Sequence, residues 1–337
     1  MKLLTILKMP PAGLALPLAL LLAACANSGT QKTSSGAAPS AAQGGEPALT
    51  ETPTPTEDPQ PAFPVRVNNK FGYIDLAGKL VIEPQFKTGL RFSEDLAPVQ
   101  DEKTNLWGYI DKKGSFAIKP QFQAAEPFYE GLAVAVTTEG KAGFIDKSGK
   151  FAIEPKFAGA SRFQDGRALA IDGKHVLDQF VTGYGYIDKT GKFFIQPTLA
   201  DAGPFSEGLA AARYMGEWFG YIDEKAKKVI APRFERAGEF SDGLAPVRVD
   251  NARWGYIDKT GKFVIEPKFI GARAFKEGLA PALDLSNKWG YIDKSGKFVI
   301  PPKFTEAAQF LNGLAQVQVD DKIGYINRKG EYLWIPR

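Results

Sequence analysis

One phrase recurs eight times in this chain, and its spacing limits what the chain can become. The clearest copies read Trp254-Gly-Tyr-Ile-Asp-Lys-Thr-Gly-Lys-Phe-Val-Ile and Trp289-Gly-Tyr-Ile-Asp-Lys-Ser-Gly-Lys-Phe-Val-Ile. The glycine of each copy falls at Gly72, Gly108, Gly143, Gly185, Gly220, Gly255, Gly290 and Gly324, at intervals of 36, 35, 42, 35, 35, 35 and 34 residues. A fixed period of this size marks an array of one supersecondary unit rather than a domain built round a single cleft. Such an array offers surface for holding something, without naming what is held.

Each unit reads as strands. Runs rich in Val, Ile, Phe and Tyr are broken by Gly and polar corners, and helical spacing is poor throughout. The Asp-Lys-Ser/Thr-Gly corner recurs at Asp146–Gly149, Asp188–Gly191, Asp258–Gly261 and Asp293–Gly296. Asp bonds its own backbone across a turn and Gly accepts a positive φ, so this corner predicts a hairpin. Further corners precede Trp-Gly and fall at Glu-Gly or Asp-Gly, as at Glu130-Gly131, Asp242-Gly243 and Glu277-Gly278. Three corners separate four extended pieces: Pro-x-Phe-x-x-Ala-x-x-Phe, Leu-Ala-Pro-Val-x-Val, Trp-Gly-Tyr-Ile-Asp and Lys-Phe-Val-Ile. The proline of the second piece (Pro98, Pro246, Pro281) donates to no ladder, which places it at a bulge or an unpaired position. The Gly after Trp marks a point where a neighbouring ring or backbone presses close.

A four-stranded meander repeated in tandem implies an all-β fold of propeller type. The chain holds eight copies of pieces two to four but seven of piece one, since the first unit begins abruptly at Phe63-Pro-Val-Arg-Val. That shortfall keeps open a second architecture, an open twisted stack or solenoid of β-repeats. The end copies are atypical, with Phe71 or Ile323 for Trp and Asn327 for Asp, as capping units of an array would be.

The amino end has a different character. Lys2 and Lys8 precede an apolar stretch from Leu14 to Leu22, interrupted by Pro17 and too short to span a bilayer. This is the form of an export signal over 1–24. Leu22-Ala23-Ala24-Cys25 resembles the bacterial lipobox, in which the cysteine becomes the lipidated first residue. Lipid on Cys25 would tether the protein to one leaflet without crossing it. Ala26 follows, and by the same resemblance a Gram-negative cell would sort the protein to its outer membrane; a cell with one membrane would hold it on the outer face. Residues 25–61 are poor in bulky apolar groups and rich in Ser, Thr, Gly and Pro, which predicts a disordered tether. The repeat domain is expected over 62–337.

The motif Trp-Gly-Tyr-Ile-Asp-Lys-x-Gly-Lys-x-Val-Ile followed by Pro-x-Phe resembles the WG (KWG) repeat of bacterial proteins. That resemblance spans roughly 63–337 and implies a β-rich repeat in an exported or surface protein. Its first residue varies: Phe71, Trp107, Ala142, Tyr184, Phe219, Trp254, Trp289 and Ile323. Such tolerance suits a packing position better than a ligand contact.

No constellation for catalysis stands out. Cys25 is the single cysteine and His175 the single histidine, so neither a zinc site nor a Cys/His or Ser/His pair is expected. With 42 Lys and Arg against 38 Asp and Glu, interspersed, the chain lacks a nucleic-acid footprint. The repeated aspartates (Asp75, Asp111, Asp146, Asp188, Asp223, Asp258, Asp293) are explained by turn chemistry before any ring of cation ligands. Trp218, Phe219, Tyr221, Trp254 and Tyr256 are expected in the core before any role in stacking on sugars. The long interval carries Gly173-Lys-His-Val-Leu-Asp-Gln-Phe-Val-Thr-Gly183, a tolerated loop insertion or a projecting contact loop with His175 and Phe180 on it. The expected protein is non-catalytic, uses no cofactor, binds no nucleic acid, and presents a β surface to an envelope or surface protein. The alternatives are a cell-wall or surface-glycan binder and, less favoured, a propeller-type hydrolase.

Overall fold

A computed structural model describes residues 63–176, 179–249, 253–320 and 322–335. These form eight antiparallel sheets in chain order, with no helix among the described residues. The sheets are the blades of an eight-bladed β-propeller. Blade 1 covers 63–86 and has three strands, while blades 2 to 8 (88–122, 124–157, 159–199, 201–234, 236–269, 271–304 and 306–334) have four each. In the four-stranded blades a two-residue strand lies innermost. The Leu-Ala-Pro-Val, Trp-Gly-Tyr-Ile and Phe-Val-Ile strands follow outward. The absent copy of piece one matches the innermost strand that blade 1 lacks among the described residues.

The core lies between blades rather than within them. One cluster joins Tyr221 and Phe234 of blade 5 to Phe240, Val247 and Ile257 of blade 6, and comparable clusters bridge the other neighbouring pairs. The motif tyrosine is the pivot. Its buried ring meets a phenylalanine from the inner segment of the next blade, at 5.0 Å for Tyr73–Phe92, 4.9 Å for Tyr256–Phe275 and 4.8 Å for Tyr291–Phe310. Its hydroxyl donates to a carbonyl 17 residues on, as Tyr73 to Leu90 and Tyr221 to Gly238, both 2.8 Å.

This hydrogen bond explains the proline of the second piece. Leu90 N donates to Pro98 O and Gly238 N to Pro246 O, so the nitrogen of each proline faces the inner segment. The carbonyl that an N–H there would have engaged receives the tyrosine hydroxyl of the preceding blade instead. Pro98 and Pro246 keep regular register with Tyr109 and Tyr256, so the expected unpaired position is found and no bulge falls there. The bulges lie one strand further out, where register shifts between the third and outer strands. There the motif glycine is required. A Cβ on Gly290 would sit 2.6 Å from Ile300 O and 2.8 Å from Pro302 N.

The array closes despite its short first blade, which excludes the open stack. Cross-strand register aligns Phe63 with Ala97, Ala133, Ala168, Ala210, Ala245, Ala280 and Ala315, each paired with the isoleucine of its motif. Where seven blades carry alanine, blade 1 carries phenylalanine. The Phe63 ring lies 4.9 Å from Tyr325 of blade 8, in the place that inner-segment phenylalanines take elsewhere. The Tyr325 hydroxyl donates to Pro64 O at 2.7 Å, the carbonyl that would otherwise face the absent strand. Phe63, Val65, Ile74, Leu314 and Tyr325 form one buried cluster across the seam.

The long interval is a further departure from eightfold regularity, and here the expected loop is corrected. The strands Arg167–Val176 and Gln179–Asp188 pair without interruption from Arg167↔Asp188 to Val176↔Gln179. The extra residues lengthen both strands of blade 4, because Val, Phe and Thr at the insertion suit a ladder. His175 and Phe180 are cross-strand partners near its tip. Their side chains lie outside the described residues.

Phe63→Ala is expected to destabilise the seam by about 3–5 kcal/mol, and Tyr325→Phe by about 1 kcal/mol. Hydrogen exchange under mild urea would show residues 63–74 and 314–326 losing protection first in both. Gly290→Ala is expected to cost about 1–3 kcal/mol through overpacking, read as a lowered urea midpoint.

Candidate functional site

Turn chemistry accounts for the repeated aspartates. Asp258 Oδ1 accepts from Thr260 N at 2.9 Å and Lys262 N at 3.1 Å, and Asn327 makes the same pair of bonds to Lys329 N and Glu331 N. Hydrogen bonds from Ser148, Thr190, Thr260 and Ser295 hold Asp146, Asp188, Asp258 and Asp293 below the usual carboxylate range. The lysine after each aspartate has a separate task. Lys147, Lys189 and Lys259 reach Glu94, Glu130 and Glu207 of the preceding blade at 3.4, 3.0 and 3.1 Å. Those glutamates also accept from the corner glycine of the next blade, as Glu130 does from Gly166 N at 3.0 Å. Between blades 4 and 5 the polarity is inverted: Glu224 stands at the lysine position and pairs with Arg167. These are exposed pairs and each contributes little alone.

The aromatic positions divide. Tyr221 and Tyr256 are fully buried and Phe219 is buried at 6% exposure. Trp254 is half-buried, with the Arg248 guanidinium 6.0 Å from its ring. Trp218 stands out at 47% exposure, beside Met215 at 83%, on the corner between the second and third strands of blade 5. The long hairpin of blade 4 projects from the equivalent corner of the neighbouring blade, and Leu285, 71% exposed, occupies that corner in blade 7. One face of the ring therefore carries a protruding ladder with exposed apolar groups near it.

A second feature lies at the axis. Two residues lie between each short inner strand and its phenylalanine: Leu90-Arg91, Glu126-Pro127, Ser161-Arg162, Gly203-Pro204, Gly238-Glu239, Arg273-Ala274 and Ala308-Gln309. Groups on non-neighbouring blades sense one another here, as Arg162 of blade 4 does Glu239 of blade 6. Burial pushes the Glu239 carboxyl up against the pull of Arg162 and Lys276, and its Oε2 lacks a hydrogen-bond partner among the described residues.

A cavity of about 320 Å³ opens between blades 8, 1, 2 and 3, beside the three-stranded blade 1. Phe63, Phe71, Leu90, Phe310 and Ile323 supply its apolar wall. Arg91, Glu126, Tyr129, Gln309 and Gln316 bring polar groups to it. Burial pushes the Glu126 carboxyl up to about 7, with no offsetting charge among the described residues. Arg91 instead hydrogen-bonds Tyr129, whose ring is also covered by the Arg162 guanidinium at 4.7 Å. Burial raises the Tyr129 hydroxyl and Arg91 works against that rise.

Neither Arg91 nor Glu126 was singled out from sequence. Aligning the seven inner segments puts a charge in five of them, at Arg91, Glu126, Arg162, Glu239 and Arg273, so nothing local marks this pair out. Cys25 and the tether lie outside the described residues. Among the described residues no group of three or more His, Cys, Asp or Glu side chains is arranged to hold a metal ion.

Two solved structures show a similar fold. A computationally designed protein, Ika8, matches with TM-score 0.51 at 9% identity, over 82% of this chain and 90% of its own. BamB from Moraxella catarrhalis matches with TM-score 0.51 at 9% identity, over 78% of this chain and 92% of its own. At such identity the likeness concerns fold alone. No curated protein sequence matches the chain. The model of the WG containing repeat matches residues 71–103, 107–141, 143–173, 184–218, 219–251, 254–284 and 289–322. With most of the chain so covered, and with the motif glycine, tyrosine and aspartate each carrying a defined structural task, the protein belongs to the WG-repeat family.

Proposed function

We propose that the protein is a non-catalytic, lipid-anchored propeller of the cell envelope that binds another envelope or surface protein. The supporting observation is the face bearing the blade 4 hairpin, with Met215 and Trp218 exposed on the adjoining blade. A paired hairpin is a stiff projection, and exposed Met and Trp next to it are the side chains that interfaces favour. Lipid on Cys25 would hold the propeller at the membrane, on a tether rich in Ser, Thr and Pro.

The acids at the axis support a binding rather than a hydrolytic role. Glu126 and Glu239 belong to blades 3 and 6, and the charged groups sensed by Glu239 are Arg162 and Lys276, not a second carboxylate. A paired acid and nucleophile for glycoside cleavage requires two carboxyl groups facing one bond. Burial of Phe219, Tyr221 and Tyr256 likewise removes most of the aromatic platform that a glycan binder would use.

Cys25→Ser is expected to move the protein from the membrane fraction to the soluble exported fraction, read by fractionation and by loss of labelled fatty acid. In-cell crosslinking of the full chain is expected to capture one envelope protein. Removing 174–182 or substituting Trp218→Ala should each reduce that crosslink at least tenfold without changing membrane association. Retention on a glycan array or on purified peptidoglycan, abolished by Trp218→Ala, would instead establish the glycan alternative. Robust turnover in a hydrolase screen would overturn both.

A further inference from the structure

The cavity at the short blade is independent of the hairpin face. Among the described residues blade 1 has one strand fewer than the others: Phe63 and Tyr325 seal the seam at the rim, and the cavity lies beside it. At about 320 Å³ it is at the lower end of the range for small-molecule sites. Its polar groups come from three blades and its walls are aromatic and aliphatic, the composition such sites share.

Charge specifies the occupant. An acid and a guanidinium open on the same small cavity without neutralising each other. Arg91 is held against Tyr129, while among the described residues burial alone acts on the Glu126 carboxyl. A ligand with an ammonium at one end and a carboxylate at the other would complement both, and aromatic walls add favourable contact to an ammonium and to an apolar side chain. Gln309 donates to Ala274 O at 2.8 Å, which fixes its amide at the edge of the site.

We propose that the cavity between blades 8, 1, 2 and 3 binds a small zwitterion, an α-amino acid with an apolar side chain or a short peptide of such residues, with its ammonium at Glu126 and its carboxylate at Arg91. Binding requires Glu126 ionised. In the unliganded protein this carboxyl titrates near neutrality, so the ligand ammonium must drive a proton off at lower pH. The other titratable and charged groups facing the cavity are Arg91, Tyr129 and Tyr325, and burial raises both tyrosine hydroxyls further from neutrality.

Titration calorimetry on the folded exported protein tests this with L-leucine, L-phenylalanine and L-leucyl-L-leucine as probes, against N-acetyl-L-leucine and L-leucinamide. Binding is expected at pH 7.5 and should weaken roughly five- to tenfold at pH 6. Both blocked derivatives should lose at least tenfold. The ratio of leucine to dileucine affinity distinguishes a free amino acid from a peptide end. Glu126→Gln is nearly isosteric and is expected to lose at least tenfold while remaining folded. A raised carboxyl pKa in the folded state stabilises the protein at low pH and loses that contribution as pH rises through about 7. The Glu126→Gln melting temperature should therefore fall less between pH 5 and 8 than that of the parent, which verifies the fold and the carboxyl together. Arg91→Gln should weaken leucine more than leucinamide. Absence of binding by every probe at 10 mM and pH 7.5, equal binding of N-acetyl-L-leucine, or undiminished binding by Glu126→Gln would each overturn the proposal. Deleting 174–182 should leave leucine affinity unchanged, so failure here and failure of the envelope-protein interaction are separable.

Discussion

The structure depends on one inter-blade contact made again and again: a buried tyrosine whose ring packs on the next blade's phenylalanine and whose hydroxyl closes on that blade's carbonyl. Each blade alone is a small twisted sheet with little interior. The tyrosine gives it a neighbour, at roughly 1 kcal/mol for the hydrogen bond and about 0.5–1.5 kcal/mol for the ring pair beyond area burial. Its hydroxyl also satisfies a carbonyl that faces a proline nitrogen, so a residue normally excluded from strand interiors becomes compatible with the second strand. The interface between blades 3 and 4 departs from this pattern. Phe144 has no hydroxyl, and Ser161 Oγ accepts from Leu169 N at 3.0 Å on the facing segment.

Closure is the second constraint. A ring of identical units needs identical seams, yet among the described residues blade 1 has one short strand fewer than the rest. Phe63 standing where seven blades have alanine supplies the missing ring from a different backbone position. The repair restores contact with Tyr325 but does not refill the axis, and the cavity is what remains. The irregular features thus arise where repetition breaks: the cavity at the truncated blade, the long hairpin at the 42-residue interval, the inverted ion pair at Glu224.

Legibility followed the range of the forces. The Asp-Lys-x-Gly corner, the strand sequence and the close approach at the motif glycine are local, and their residues announce them. Burial of Tyr221 and Tyr256 follows from strand period. The insertion was legible as an interruption but not as a ladder, because register across a hairpin depends on its partner strand. Arg91 and Glu126 were not legible at all as a pair. They lie on different blades and meet a common space only through the curvature of the ring.

Sequence alone therefore determined the unit: four short strands, their turns, the thirty-five-residue beat and the family to which it belongs, because each rests on neighbours a few residues apart. Only the tertiary structure decided that eight units close into a ring, that Phe63 takes the place of an inner-segment phenylalanine at the seam, and that an acid and an arginine share one cavity. Those outcomes depend on contacts between the two ends of the chain and across the axis, and no local pattern encodes the angle at which successive blades turn.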